Sequence, residues 1–479
     1  MLNTPLQRSQ LPAPRIGCEY LEEPSLLFCG GREHVSARAG IALFGPRSLD
    51  IQERHPSTTR VGFIGSGASI DSAHQWVTSC LAGVEGDSEH DAFPGYNERQ
   101  GFYTNLAFAD RWNQTLTLNE LHAVAKERLY KDRFATALAL VSEKLRGLAH
   151  KDSPPDYVIL ALPDELLKHC ETVDYVEAGQ GMVHRDFRRA LKAEVMKYCL
   201  PTQIIRQRTS EAAPDSREVD HKSRVAWNIF SSLYFKSGGI PWSPKGLEPG
   251  TCYVGISFYR PVGVASNLLC TSVAQAFNEY GEGLVLRGQD FVWDPRAYGR
   301  SPHLDTEQAR ALIDLVLKRY RDEVKQMPRR IVIHKSSRFW PAEKEGFQDA
   351  LAGVPYYDLV AVRPNNQVRL LREGQYPPLR GATFTVDDVH YLYTTGFIPA
   401  LNAYPHGHVP SPLQIADYIG DTSLTKILEE ILLLTKMNWN TTAFADLRPI
   451  TLRFSQLVGD IMREIPPDRE PLPQFKYYM

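Results

Sequence analysis

The run Tyr157-Val158-Ile159-Leu160-Ala161-Leu162 constrains the fold more than any other segment. It follows Pro154-Pro155, is apolar throughout, and leads directly into Asp164-Glu165, an acidic helix start. A strand apolar on both faces must be covered on both faces, which is the condition of a parallel strand inside an α/β layer. The alternation repeats upstream, where Val61 to Ile64 reads as a strand, Gly65-Ser66-Gly67 as a turn and Ala68 to Leu81 as a helix. A long amphipathic helix is expected from Leu118 to His150. Another is expected from Arg185 to Tyr198, ending before Pro201, and then a strand over Thr202 to Arg206. A helix from Val225 to Phe235 closes at Gly238-Gly239. This pattern predicts an α/β fold with a Rossmann-like first half.

The length of 479 residues allows two or three domains. The Pro- and Gly-rich stretch 243–250 divides the chain into an irregular segment 1–60 packed on the first domain, a domain over 61–245, and a second over 246–479. The second opens on a strong strand, Cys252 to Tyr259, with further strands at Gly283 to Leu286 and Arg330 to His334. Its longest apolar run, Ile427 to Leu434, carries two glutamates and reads as a buried helix rather than a membrane span. Seven cysteines without a C-x-x-C pair fit reduced thiols, and with no apolar leader the expected location is the cytoplasm.

The net charge of −2 excludes a global basic field, so any nucleic-acid binding must rest on a local cluster. Such a cluster lies between Gly181 and Thr209: Arg185, Arg188, Arg189, Lys192, Lys197, Arg206 and Arg208 face only Asp186 and Glu194. Arg188 and Lys192 are four residues apart and share a helical face. Gln203 follows on the next strand, and Lys236 closes the next helix. Three cations and an amide from separate elements can surround one phosphate. Gly65-Ser66-Gly67 lacks the third glycine of a dinucleotide loop, since position 70 is Ile, and reads as a tight turn. His406 and His408 lack a third clear ligand and read as loop residues.

The segment from Asp186 to Arg206 resembles the guide-pocket segment of Argonaute MID domains. By that resemblance Arg188, Lys192, Gln203 and Lys236, in Lys-Ser-Gly-Gly, hold a guide's 5′-phosphate. The segments Thr251 to Arg260, Ile331 to Phe339, Leu434 to Asn440 and Arg448 to Met462 resemble, in order, strands and the final helix of a PIWI domain, an RNase H-like fold. Together they resemble a short prokaryotic Argonaute, a MID–PIWI pair. The resemblance implies that the Met479 carboxylate and Gln203 share a Mg²⁺ ion with the guide phosphate.

Active PIWI domains grip two divalent ions with carboxylates, because two metals must clamp the attacking and leaving oxygens. At the matching positions this chain carries Ser257, Ser336 and, in the final region, Asn438 and Asn440. A hydroxyl is a poor ligand for a hard cation. The expectation is a non-cutting subunit that binds a guide RNA and a single-stranded DNA target. By resemblance it would act with an APAZ-bearing effector, sirtuin-like in preference to TIR or nuclease, depleting NAD in defence against plasmids or phages. The competing expectation is a nuclease with a metal site remodelled around Glu282, Asp290 and Asp294.

Overall fold

The computed structural model describes residues 15–179, 181–212, 219–264, 268–269, 272–277, 282–299, 301–405, 408–466 and 469–479. His406 therefore lies outside the described residues.

Four strands of the first half form one sheet: β2 (Thr58–Gly65), β3 (Asn105–Thr115), β4 (Tyr157–Leu162) and β7 (Thr202–Arg206), in the order β7-β4-β2-β3 with every pair parallel. All six residues of β4 are buried, as its composition requires. One face of the sheet packs under α1 (Gly67–Cys80) and the other under α3 (Tyr130–Ala149) and α4 (Phe187–Val195). Ser66 caps α1 through the Ser69 N–H, so Gly65-Ser66-Gly67 is a strand-to-helix turn.

Two expected helices differ from the structure. The 118–150 helix is two helices, α2 (Leu118–Lys126) and α3, because Glu127 leaves helical geometry at ψ 129°. The Arg133 guanidinium takes up the freed Glu127 carbonyl at 2.7 Å. The helix expected from Arg185 begins at Phe187, where Asp186 caps it by accepting from the Arg189 N–H at 2.9 Å. Arg185 instead ends a hairpin of β5 (Thr172–Glu177) and β6 (Gly181–Asp186).

The second half is built on a nine-stranded sheet. It contains β8 (Thr251–Phe258), β9 (Ser272–Phe277), β10 (Gly283–Arg287), β11 (Arg330–Lys335), β12 (Tyr356–Pro364), β13 (Ala382–Val386), β14 (Val389–Leu392) and β15 (Leu413–Gly420). Its ninth strand is β1 (Ile16–Tyr20), which pairs antiparallel with β13. The entry segment is therefore not packed on the first half alone. Its first strand joins the far sheet, while Ser48 bonds Ile240 and Tyr234 of the first half.

Strands β8, β11 and β12 run parallel in the middle of this sheet. Residues of β8 alternate: Cys252, Val254 and Ile256 pack toward α6 (Thr306–Val324) and α7 (Pro341–Leu351). Tyr253 packs toward α8 (Leu424–Leu434) and α9 (Ile450–Met462). Gly255 faces α9 so closely that an added Cβ would lie 2.1 Å from the Thr451 carbonyl oxygen. The apolar run Ile427 to Leu434 is the buried face of α8, and its Glu430 is held by the Arg330 guanidinium at 2.7 and 3.0 Å. Leu434 to Asn440 is the end of α8 and the loop after it, not a strand.

Candidate functional site

Helix α4 buries Phe187, Ala190, Leu191 and Val195 against the first-half core, which fixes its rotation and presents Arg188 and Lys192 together. Lys192, only 4% exposed, reaches the start of β7, where its Nζ donates to the Thr202 carbonyl at 2.6 Å and to Thr202 Oγ1 at 3.1 Å. Lys236 arrives from α5 (Lys222–Lys236), a helix buried along most of its length. It is 1% exposed, and its Nζ donates to the same Thr202 carbonyl at 3.1 Å and to Gln203 Oε1 at 2.9 Å. Residues 192, 203 and 236, set together in the sequence only by resemblance, meet in the structure. Thr202, whose carbonyl joins the two ammonium groups, had no sequence signal, because any residue supplies that oxygen.

The charge balance here is unusual. Four other cations of the basic cluster are neutralised by acids: Arg185 pairs with Glu464 and Arg189 with Asp460, both at 2.8 Å, while Lys197 pairs with Glu194 and Arg206 with Glu171. Among the described residues no carboxylate pairs with Arg188, Lys192 or Lys236. Burial pushes the Lys192 ammonium well below the ordinary value of 10.5, and neighbouring Lys236 and Arg188 push it further. Lys236 is lowered by burial first and by Arg188 second. Two unit charges roughly 5 Å apart repel by about 3 kcal/mol at an effective dielectric near 20. Three neutral acceptors, the Thr202 carbonyl, Thr202 Oγ1 and Gln203 Oε1, do not offset that repulsion together with desolvation. An anion would reverse both terms.

Arg188 is exposed and lines a small cavity of about 60 Å³ with Asn440, Phe454, Asp460, Tyr478 and Met479. The C-terminal aromatics anchor this edge: Phe475 stacks on Phe454 at 3.8 Å, Tyr477 Oη donates to the Cys199 carbonyl at 3.2 Å, and Met479 is 3% exposed. For Mg²⁺ the side chains alone are a poor set. Gln203 Oε1 is a neutral oxygen already bonded to Lys236, Asp460 is committed to Arg189, and two ammonium groups stand nearby. Hard cations take several oxygens, preferably anionic. The residues fit a divalent ion only in company with an anion that brings its own oxygens.

Two of the other expected positions, Ser257 and Ser336, fall at one end of the parallel pair β8 and β11. The last paired residues are Ile256 and Lys335, and Ser257 and Ser336 each follow by one residue. Ser257 Oγ donates to the Ser455 carbonyl of α9 at 2.7 Å, and Ser336 is exposed. Asn438 and Asn440 are engaged elsewhere. Asn438 donates to Asp446 at 2.8 Å, and Asn440 accepts from Ser232 and lines the Arg188 cavity. The residues that lie over Ser257 thus come from α9, not from the Asn438 loop.

The acids of the competing expectation have other roles. Glu282 pairs with Arg54 of the entry segment, Asp290 lies 4.0 Å from Arg287, and Asp294 caps a short helix by accepting from the Arg296 N–H at 2.9 Å. Among the described residues, the one trio of His, Cys, Asp and Glu side chains close enough to share an ion is Asp87, His90 and His221.

No family model and no curated protein matches the sequence. Solved structures do. Clostridium butyricum Argonaute, bound to a guide DNA and a 19-mer target DNA, superposes with a TM-score of 0.65 at 18% identity, over 95% of this chain and 54% of that one. A. aeolicus Argonaute gives 0.57 at 16% identity, over 95% and 54%. Marinitoga piezophila Argonaute, in complex with a 5′ OH guide RNA, gives 0.58 at 12% identity, over 96% and 59%. The chain has the Argonaute MID–PIWI fold and spans a little over half the length of these proteins. No described helix is long and apolar enough to cross a membrane.

Proposed function

We propose that the protein holds the 5′-phosphate of a short guide, RNA in the first instance, among Arg188, Lys192, Gln203 and Lys236, and uses the guide to capture a complementary single-stranded DNA without cutting it. The observation that supports this reading is the pair of buried lysines on one carbonyl oxygen with no described carboxylate beside them. A terminal phosphate carries between one and two negative charges near neutral pH and three strong acceptor oxygens. It can take a hydrogen bond from each ammonium and from the Arg188 guanidinium in place of a shared neutral acceptor.

In this reading residues 61–245 grip the guide end and residues 246–479 form the RNase H-like platform. Base pairing reads the target sequence while the protein reads backbone shape. Gln203 and Met479 would hold Mg²⁺ beside the bound phosphate, where the ion supplies charge neutralisation. Chelation should then weaken binding of a phosphorylated guide and leave a 5′-hydroxyl guide unaffected.

Strand scission by two metals needs clustered carboxylates. Ser257 and Ser336 offer hydroxyls where the first two would stand, and Ser257 already donates its proton to Ser455. A subunit that recognises without cutting needs a separate output. We assign that output to an APAZ-bearing effector, sirtuin-like and NAD-consuming, switched on by guide–target pairing against plasmids or phages. Incubation with guide, labelled complementary strand and Mn²⁺ tests the reading. A retained intact strand supports it, and cleavage products would establish the remodelled nuclease instead.

A further inference from the structure

A second cluster lies away from the lysine site. The loop after α1 carries Asp87 and His90, and His221 is the residue that caps α5. The fold stacks the His90 and His221 rings, with centroids 4.6 Å apart and planes 15° from parallel. Asp87 sits between them in reach. Its Oδ1 lies 2.8 Å from His90 Nδ1 and its Oδ2 lies 3.9 Å from His221 Nε2. Two backbone donors, the N–H groups of Glu89 and His90, fix the carboxylate at 2.8 and 2.7 Å.

We propose that Asp87, His90 and His221 bind one divalent transition-metal ion, with Zn²⁺ as the probe. Two imidazoles and one carboxylate are the donor types of zinc, nickel and copper sites, whereas magnesium and calcium sites are built from oxygens. His221 has the outer support of a ligand: its Nδ1 lies 2.8 Å from Ser223 Oγ, which leaves Nε2 turned to Asp87. The Ser223 N–H also points at that Nδ1, at 3.3 Å, so metal binding selects the tautomer with the proton on Nδ1 and weakens this cap. At His90 the ion replaces the proton shared between Nδ1 and Asp87. Asp87, His90 and His221 are 47%, 25% and 27% exposed and border a cleft that also carries Glu85 and Asp220. An ion can therefore enter, and its remaining position faces that cleft.

The consequence is a staple. The ion ties the 81–93 loop to the N-cap residue of α5, the helix that ends at Lys236. The test uses the full chain stripped with a chelator, dialysed, and titrated calorimetrically with Zn²⁺, with Co²⁺ as a spectroscopic substitute. One ion per chain is expected, with a rise in Tm and a Co²⁺ visible band of nitrogen–oxygen ligation. His90→Ala, His221→Ala and Asp87→Asn should each weaken binding by about tenfold or more, since ligand loss costs no less than loss of an outer partner. Circular dichroism checks that each variant is folded. Absence of binding by the folded chain, or equal affinity in the His90→Ala/His221→Ala double variant, overturns the proposal.

Discussion

Lys192 and Lys236 donate to one acceptor, the carbonyl oxygen of Thr202, at 2.6 and 3.1 Å. Two ammonium groups from different helices share this oxygen, and their other acceptors, Thr202 Oγ1 and Gln203 Oε1, are neutral as well, so the unliganded protein bears a cost that an anion removes.

Function and stability should therefore separate at Lys236. Lys236→Met is expected to weaken binding of a 5′-phosphorylated oligonucleotide by about tenfold or more, from the ~1.5–3 kcal/mol of a charge-assisted contact. The Tm of the unliganded variant should be equal to or above that of the parent, because an apolar chain of similar length replaces an uncompensated charge. A clear fall in Tm would show that Lys236 is already compensated.

The pH dependence has a definite sign. The folded, unliganded lysines titrate below the unfolded value of 10.5, so the unfolded chain holds more protons in the window between the depressed values and 10.5. Stability of the unliganded protein then rises with pH across that window as the burial penalty is relieved. A bound phosphate restores the charged lysines, so binding takes up protons and weakens as pH rises through the same window. Calorimetry in two buffers of different ionisation enthalpy reads this uptake. Observed binding heats that are the same in the two buffers, meaning that no proton is taken up, would contradict it.

Much of this site was legible in the chain, for local reasons. Arg188 and Lys192 share a helix face by spacing alone, and Tyr157 to Leu162 declares a buried strand by composition. What could not be read depends on distant partners. The strand Ile16–Tyr20 is exposed at every position and gains its place only by pairing with Ala382–Val386. The hairpin 172–186 alternates weakly, with Val176 and Met182 exposed, so its last strand resembled a helix start. That Arg185 and Arg189 are neutralised and Arg188, among the described residues, is not depends on Glu464 and Asp460, more than 250 residues away.

At Gly255 the expected effect is on stability alone. A Cβ there would meet the Thr451 carbonyl oxygen at 2.1 Å, and that oxygen belongs to the backbone of α9, which packs on the strand. Gly255→Ala should cost about 1–3 kcal/mol or more, the range of overpacked cores, read by denaturant unfolding. A neutral result would mean that α9 moves freely on the sheet.

Restoring an acid at the serine pair should not restore cutting. Ser257 Oγ donates to the Ser455 carbonyl at 2.7 Å, and a carboxylate there would face that oxygen with no proton to give. Ser257→Asp is expected to destabilise the protein by about 1–3 kcal/mol and to leave a guide-paired DNA strand intact in Mn²⁺. Cleavage by this single variant would show that the remaining ligands are already in place.

The most direct test of the account compares two guides of one sequence, one with a 5′-phosphate and one with a 5′-hydroxyl, by fluorescence anisotropy at fixed salt. The account predicts that the phosphate strengthens binding by about tenfold or more, and that this advantage is lost when Lys192 and Lys236 are both replaced by alanine. Equal affinity for the two guides in the unmodified protein would contradict it.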